Sequence, residues 1–148
     1  MRTLVIGVGN LLRCDDGAGI HVVNRLRREA PHIDAEDVAM GSIEILEAMK
    51  GYDRVIVVDA VRTGAEPGTV FRVNLSKGEE PPVVASSHGV DLMTTLKLGA
   101  RLFPGEMPGE QIIVGIEAMD VATFSESCTP PVEAAIRVVV EEIISLVG

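Results

Sequence analysis

The sequence predicts a three-layer α/β sandwich, in which a twisted, mostly parallel sheet of five strands lies between helices on both faces. Short, continuous apolar runs alternate along the chain with segments whose apolar residues recur at helical spacing. Continuous apolar runs are typical of strands buried on both faces, and their alternation with amphipathic helices is typical of a parallel sheet. A length of 148 residues suits one domain, so we expect a single domain over residues 1–148.

Five segments are predicted to form the strands of this sheet. The clearest are residues 3–8, 53–60 and 110–117, which are nearly continuous apolar runs, and residues 34–40 form a weaker one. The short segment 69–73 alternates in character, which is typical of a strand with one solvated face. We therefore place this segment at an edge of the sheet or antiparallel to its neighbour.

Helices are predicted over residues 15–29, 42–50, 89–103 and from about Pro130 onward. Asp15 and Ser42 stand where a polar side chain can cap a helix, and proline suits a first helical position. The apolar residues at helical spacing are Ile20, Val23, Leu26 and Ala30 in the first helix, Met93, Leu96, Ala100 and Phe103 in the third, and Val132, Ile136, Val139, Val140, Ile143 and Val147 in the last.

Composition excludes several classes of partner. The chain has 13 Lys and Arg against 22 Asp and Glu, a net charge of −9, and only three Phe, one Tyr and no Trp. Nucleic-acid binding depends on clustered cations and stacking aromatics, so no nucleic-acid partner is expected.

Two distant cysteines fit a reducing compartment, and there is no spanning apolar run or signal peptide. We therefore expect a cytoplasmic protein without a membrane partner.

The loop after the first strand resembles a dinucleotide-binding loop only in part. Gly7 and Gly9 occupy the first two glycine positions, but Leu12 replaces the third. Asp15 and Asp16 follow at the predicted helix start, where they would repel a pyrophosphate. We interpret the two glycines as positions that let the strand turn and pass close to a helix.

Three further residues fall where a parallel sheet places its chemistry, beyond the carboxyl ends of the strands. One of Asp15 and Asp16 can cap the helix while the other projects into the crevice, although both could serve only as caps. Asp59 closes an apolar strand, where an unpaired carboxylate is costly to bury. His88 lies where a loop enters a helix. Two carboxylates and an imidazole suit a divalent ion such as zinc or nickel.

Four segments carry a resemblance to a known family. GVGNLLRCDDGAG at 7–19, VIVVDAV at 55–61, SSHGVDL at 86–92 and VGIE at 114–117 resemble the [NiFe]-hydrogenase maturation proteases. These endopeptidases remove a C-terminal extension from the hydrogenase large-subunit precursor once nickel is inserted. The resemblance implies a phosphorylase/hydrolase-like arrangement of the three layers.

The resemblance also implies roles for particular residues. Asp16, Asp59 and His88 match the family's metal-binding and catalytic trio, which tests the nickel carried by the substrate. Other divalent ions, such as zinc or cadmium, can occupy such a site. Gly41 and Ser42 stand in for a Gly-Thr pair that contacts the substrate tail. The implied partner is a [NiFe]-hydrogenase large-subunit precursor.

Two alternatives remain open from the residues. The first is another metal-assisted peptide or amide hydrolase on the same fold, which would act without nickel on unrelated peptides. The second is a non-catalytic metal- or nucleotide-binding factor of hydrogenase assembly, which would bind the precursor without changing its mass. Whether the metal polarises the scissile carbonyl or activates water is also undecided by sequence.

Overall fold

The computed structural model describes residues 1–38, 43–80 and 87–148, with the side chains of 87–91 outside the description. The strands are β1 (Thr3–Val8), β2 (Asp34–Val38), β3 (Arg54–Val61), β4 (Val70–Asn74) and β5 (Glu110–Glu117). The helices are α1 (Ala18–Glu29), α2 (Ile43–Met49), α3 (Ser87–Leu102) and α4 (Pro130–Val147), with short 3-10 turns at Cys14–Gly17 and Leu75–Lys77.

The strands form one five-stranded sheet in the order β2-β1-β3-β5-β4. β2, β1, β3 and β5 run parallel, and β4 pairs antiparallel with β5. The prediction for segment 69–73 is confirmed on both counts, because β4 is an edge strand and antiparallel. The parallel strands all end at the same edge, which we call the carboxyl edge.

Helices cover both faces of the sheet, as predicted. Alternate residues of β3 point to opposite sides, so that Ile56, Val58 and Ala60 pack with residues of α1 and α4. Val55 and Val57 pack with residues of α2 and α3 on the other side. The aliphatic runs of the sequence thus form the middle layer of a three-layer sandwich.

The predicted apolar face of the last helix is confirmed, and that of the third helix is partly wrong. In α4, five predicted residues are buried and Val147 is partly buried. In α3, Leu96 is buried but Ala100 is exposed. The buried face instead includes Gly99, where a Cβ would lie 2.7 Å from a methyl carbon of Leu46 in α2. With Gly99 packed against α2, the next residue, Ala100, faces solvent.

The first helix begins later than predicted. Cys14–Gly17 forms a 3-10 turn, and α1 starts at Ala18 with no side-chain hydrogen bond at its N-cap residue, Gly17. Asp15 therefore does not cap α1, because its carboxylate is engaged elsewhere. The last two residues predicted for β2 and the predicted cap Ser42 lie outside the described residues.

α4 is the longest described helix, with 18 residues. Neither this helix nor any other in the described ranges combines the length and hydropathy that a membrane span requires.

Candidate functional site

Two glycines bring α1 directly against the middle of the sheet. A Cβ on Gly7 in β1 would lie 2.2 Å from the carbonyl oxygen of Gly19 in α1. A Cβ on Gly19 would lie 2.3 Å from the carbonyl oxygen of Val58 in β3. Neither position can accept a side chain without moving backbone, so the start of α1 is held over the ends of β1 and β3.

Gly9 places the 3-10 turn that carries Asp16. Gly9 has a φ of +149°, which residues other than glycine rarely adopt. A Cβ on Gly9 would lie 2.0 Å from the carbonyl oxygen of Asp16. The interpretation of Gly7 and Gly9 as residues for close approach and turning is confirmed. The backbone N–H of Asn10 then donates to Oδ2 of Asp16 at 3.0 Å, which orients this buried carboxylate.

Asp59 lies within β3, opposite Gly115 of β5, and the strand continues for two residues beyond it. Its side chain is only 2% exposed, and Oδ1 has no hydrogen-bond partner among the described residues. Burial, and then the nearby charge of Asp16, raise the pKa of Asp59 to about 7. The structure therefore brings Asp16 and Asp59 together at the carboxyl edge.

A buried pair of carboxylates with one unsatisfied oxygen has a clear chemical preference. Two like charges in a poorly solvated position are relieved either by a proton or by a cation that both oxygens can reach. Carboxylate oxygens are suitable ligands for divalent ions. The residues present therefore fit a divalent ion, and an imidazole nearby would extend the ligand set.

His88, the third predicted ligand, belongs to the first turn of α3, but its side chain is outside the described residues. Among the side chains that are described, no group of three or more His, Cys, Asp or Glu is arranged to hold a metal ion. The assignment of Asp16, Asp59 and His88 as a trio stays a prediction. Gly41 and Ser42 also lie outside the described residues.

Asp15 has a structural role that the sequence did not reveal. Its fully buried carboxylate accepts hydrogen bonds from the backbone N–H groups of Met119, Asp120 and Thr129 at 2.7–3.0 Å, and from the hydroxyl of Thr129. The residue predicted as a helix cap or crevice residue instead ties the loop after β5 to the turn that carries Asp16. The signal in the sequence was weak, because the partners lie more than a hundred residues away.

Comparison with known proteins defines the family. The sequence model of a family described as hydrogenase maturation protease matches residues 20–146. The chain belongs to the hydrogenase maturation protease family. The matched range contains Asp59 and His88, and Asp16 lies just before it.

Individual relatives agree with this membership. Hydrogenase 2 maturation protease of Escherichia coli K12 is 29% identical over 153 residues, covering 98% of this chain and 90% of that protein. Hydrogenase expression/formation protein HupD of Thiocapsa roseopersicina is 29% identical over 145 residues, covering 93% of this chain. The matched region spans 64% of the length of HupD.

Solved structures of other proteins have the same fold as this chain. The hydrogenase maturating endopeptidase HybD from E. coli aligns with a TM-score of 0.80 and 28% identity, covering 99% of this chain and 91% of that one. The [NiFe] hydrogenase maturation protease HybD from Thermococcus kodakarensis aligns with a TM-score of 0.82, covering 99% of both chains, and at 23% identity this likeness concerns the fold. The predicted family and fold class are both confirmed.

The structural role of Glu117, another buried carboxylate, was not predicted from the sequence. Glu117 ends β5, and its carboxylate accepts hydrogen bonds from both the backbone N–H and the hydroxyl of Thr63. This contact fixes the loop that follows β3. The signal was the one used for Asp59, a carboxylate at the end of an apolar run, but here the structure supplies the partners.

Proposed function

We propose that this chain is an endopeptidase that removes the C-terminal extension of a [NiFe]-hydrogenase large-subunit precursor after nickel insertion. The observation that carries the proposal is the buried Asp16–Asp59 pair, with one oxygen unsatisfied among the described residues, in a member of the maturation protease family. The names of the relatives in E. coli support the same activity.

In this proposal, Asp16, Asp59 and His88 bind the nickel that the precursor carries. The raised pKa of Asp59 means that near neutral pH a proton and a metal ion compete for its carboxylate. Nickel accepts both oxygen and imidazole ligands, so the predicted trio suits it. Zinc or cadmium can occupy the same position when no precursor is present.

Recognition of bound nickel would also position the bond to be cut. Once the precursor is held through its metal, the adjoining chain is confined near the two carboxylates. Such confinement makes a reaction much faster than it is between two molecules that meet freely in solution. Gly41 and Ser42 would contact the tail, a role supported by the family resemblance.

Incubation of the chain with nickel-loaded and nickel-free precursor tests this function. Intact mass spectrometry should show loss of the extension from the nickel-loaded precursor alone. Cleavage of unrelated peptides without nickel would identify a different hydrolase. An unchanged precursor mass together with a stoichiometric complex would identify an assembly factor.

Metal binding can be measured separately. Isothermal titration with zinc or cadmium should give one site in the wild type and a severe loss of affinity in Asp59→Asn. Glu106→Gln is a matched control, because Glu106 is exposed in the turn before β5, at the opposite edge of the sheet. Equal affinity in the wild type and Asp59→Asn would contradict the ligand assignment.

A further inference from the structure

Three large apolar side chains are exposed on the two loops beside Asp16. Leu12 is 42% exposed, Met119 is 55% exposed and Phe124 is 81% exposed. Single exposed apolar residues are common on protein surfaces, whereas a group of them at one place is typical of an interaction site. We call this group the apolar rim.

Hydrogen bonds join the two loops into one surface. The backbone N–H of Ser125, next to Phe124, donates to the carbonyl oxygen of Leu12 at 2.9 Å. The N–H of Cys14 donates back to the carbonyl oxygen of Ser125 at 2.8 Å. Because Cys14 begins the 3-10 turn that contains Asp16, the apolar rim adjoins the candidate site directly.

The loops that carry the apolar rim are held in place by hydrogen bonds. The carboxylate of Asp120 accepts hydrogen bonds from Ala122 and Thr123, which fixes the turn that leads into Phe124. The N–H of Met119 is held by the carboxylate of Asp15. None of the rim residues belongs to either apolar cluster of the described core.

The position of the apolar rim determines what covers it. A protein substrate that presents a bond to Asp16 and Asp59 must lay the flanking chain across one of the loops at this edge. Arg13 and Arg62 are also exposed on the loops that follow β1 and β3, although the chain as a whole is strongly acidic. An extended peptide segment with apolar side chains and no excess of basic residues matches this combination, because the two arginines disfavour cations.

We propose that the apolar rim binds an extended, apolar segment of the precursor polypeptide that flanks the bond to be cut. This inference rests on the proposed function and adds a docking surface to it. The rim binds the polypeptide of the precursor, whereas the carboxylates bind its metal. Binding at the rim therefore does not require nickel in the precursor.

Nickel-free precursor is the probe that isolates the rim, because it is not expected to be cleaved. We compare its Kd for the wild type, for Phe124→Ser and for Met119→Ser/Phe124→Ser. The control is Leu102→Ser/Leu146→Ser, which alters two apolar residues of α3 and α4 that are 46% and 52% exposed. The double rim variant should weaken binding about tenfold, corresponding to about 1.4 kcal/mol, and the control should match the wild type.

A second arm uses nickel-loaded precursor. The rim variants should raise KM with little change in kcat, because the rim contacts the flanking segment and not the reacting atoms. An equal Kd for wild type and rim variant, or no binding of nickel-free precursor by the wild type, would overturn the rim proposal. Failure of the wild type to cleave would overturn the proposed function instead. A wild-type dimer that the rim variants dissociate in sedimentation experiments would show that a second copy covers the rim, and would also overturn it.

Discussion

The carbonyl oxygen of Asp16 lies over Gly9 so closely that a Cβ at Gly9 would be only 2.0 Å away from it. Gly9 thus sets the position of the turn that carries Asp16 above the end of β1. The glycine pattern at the start of the chain, which suggests phosphate binding at first sight, here serves to place a carboxylate beside Asp59.

Gly9→Ala should destabilise the fold by about 2–4 kcal/mol, because it combines backbone overlap with an unfavourable φ. Urea denaturation monitored by circular dichroism measures this loss. Gly64→Ala is the matched control, since Gly64 has a φ of +90° but no atom within 4 Å of the position that a Cβ would occupy. The control should cost about 1 kcal/mol. Equal losses in the two variants would show that the contact with Asp16 has no energetic weight.

Asp15→Ala should free the loop after β5 from the turn that carries Asp16. The variant leaves three backbone N–H groups and the hydroxyl of Thr129 without their buried acceptor, so a loss of about 3 kcal/mol is expected. Hydrogen exchange should show faster exchange of the Met119, Asp120 and Thr129 amides. Thr129→Val removes only the hydroxyl and should cost about 1 kcal/mol. Unchanged amide protection in Asp15→Ala would contradict the role given to this carboxylate.

The ionisation of Asp59 should make the metal-free protein less stable as pH rises. The folded state holds the proton more tightly than the unfolded state does, because the pKa is about 7 when folded and near 3.9 when unfolded. The stabilisation is complete below about pH 4 and is lost progressively as pH rises towards 7. Between pH 5 and 8, the free energy of unfolding should fall by on the order of 2–3 kcal/mol relative to Asp59→Asn.

Urea denaturation in the presence of a chelator, at several pH values, tests this dependence. Asp59→Asn should lack the decline, and Glu106→Gln should keep it, because Glu106 is exposed at the opposite edge. Parallel stability curves for the wild type and Asp59→Asn would mean that the Asp59 carboxylate is ionised at no cost.

Glu117→Gln should loosen the loop that follows β3. The amide group replaces one of the two oxygens that accept hydrogen bonds from Thr63, so a loss of about 1–2 kcal/mol is expected in urea denaturation. Thr63→Ser keeps the hydroxyl and should remain near the wild type. A Glu117→Gln variant as stable as the wild type would show that the loop is held by other contacts.

The sequence predicted the sheet well because short, continuous aliphatic runs such as residues 3–8 and 110–117 are typical of buried parallel strands. It also placed Asp16 and Asp59 at the same edge, from the rule that parallel strands share their carboxyl ends. Both inferences depend on local pattern and chain direction, which a sequence carries directly.

The errors arose where distant contacts decide the structure. Asp15 is polar and stands before a helix, which is the usual pattern of a cap, but its partners lie 104 to 114 positions away. Ala100 has helical spacing with Leu96, yet Gly99 is the residue that packs against Leu46, and Ala100 faces solvent. Neither contact has a signature in the local sequence.

The most direct test of the proposed function is the intact mass of nickel-loaded precursor after incubation with the wild type, Asp59→Asn and Glu106→Gln. The wild type and Glu106→Gln should remove the C-terminal extension, whereas Asp59→Asn should leave the precursor at its full mass. Cleavage at the wild-type rate by Asp59→Asn, or an uncleaved precursor with the wild type, would contradict the assignment of the Asp16–Asp59 pair to nickel-dependent processing.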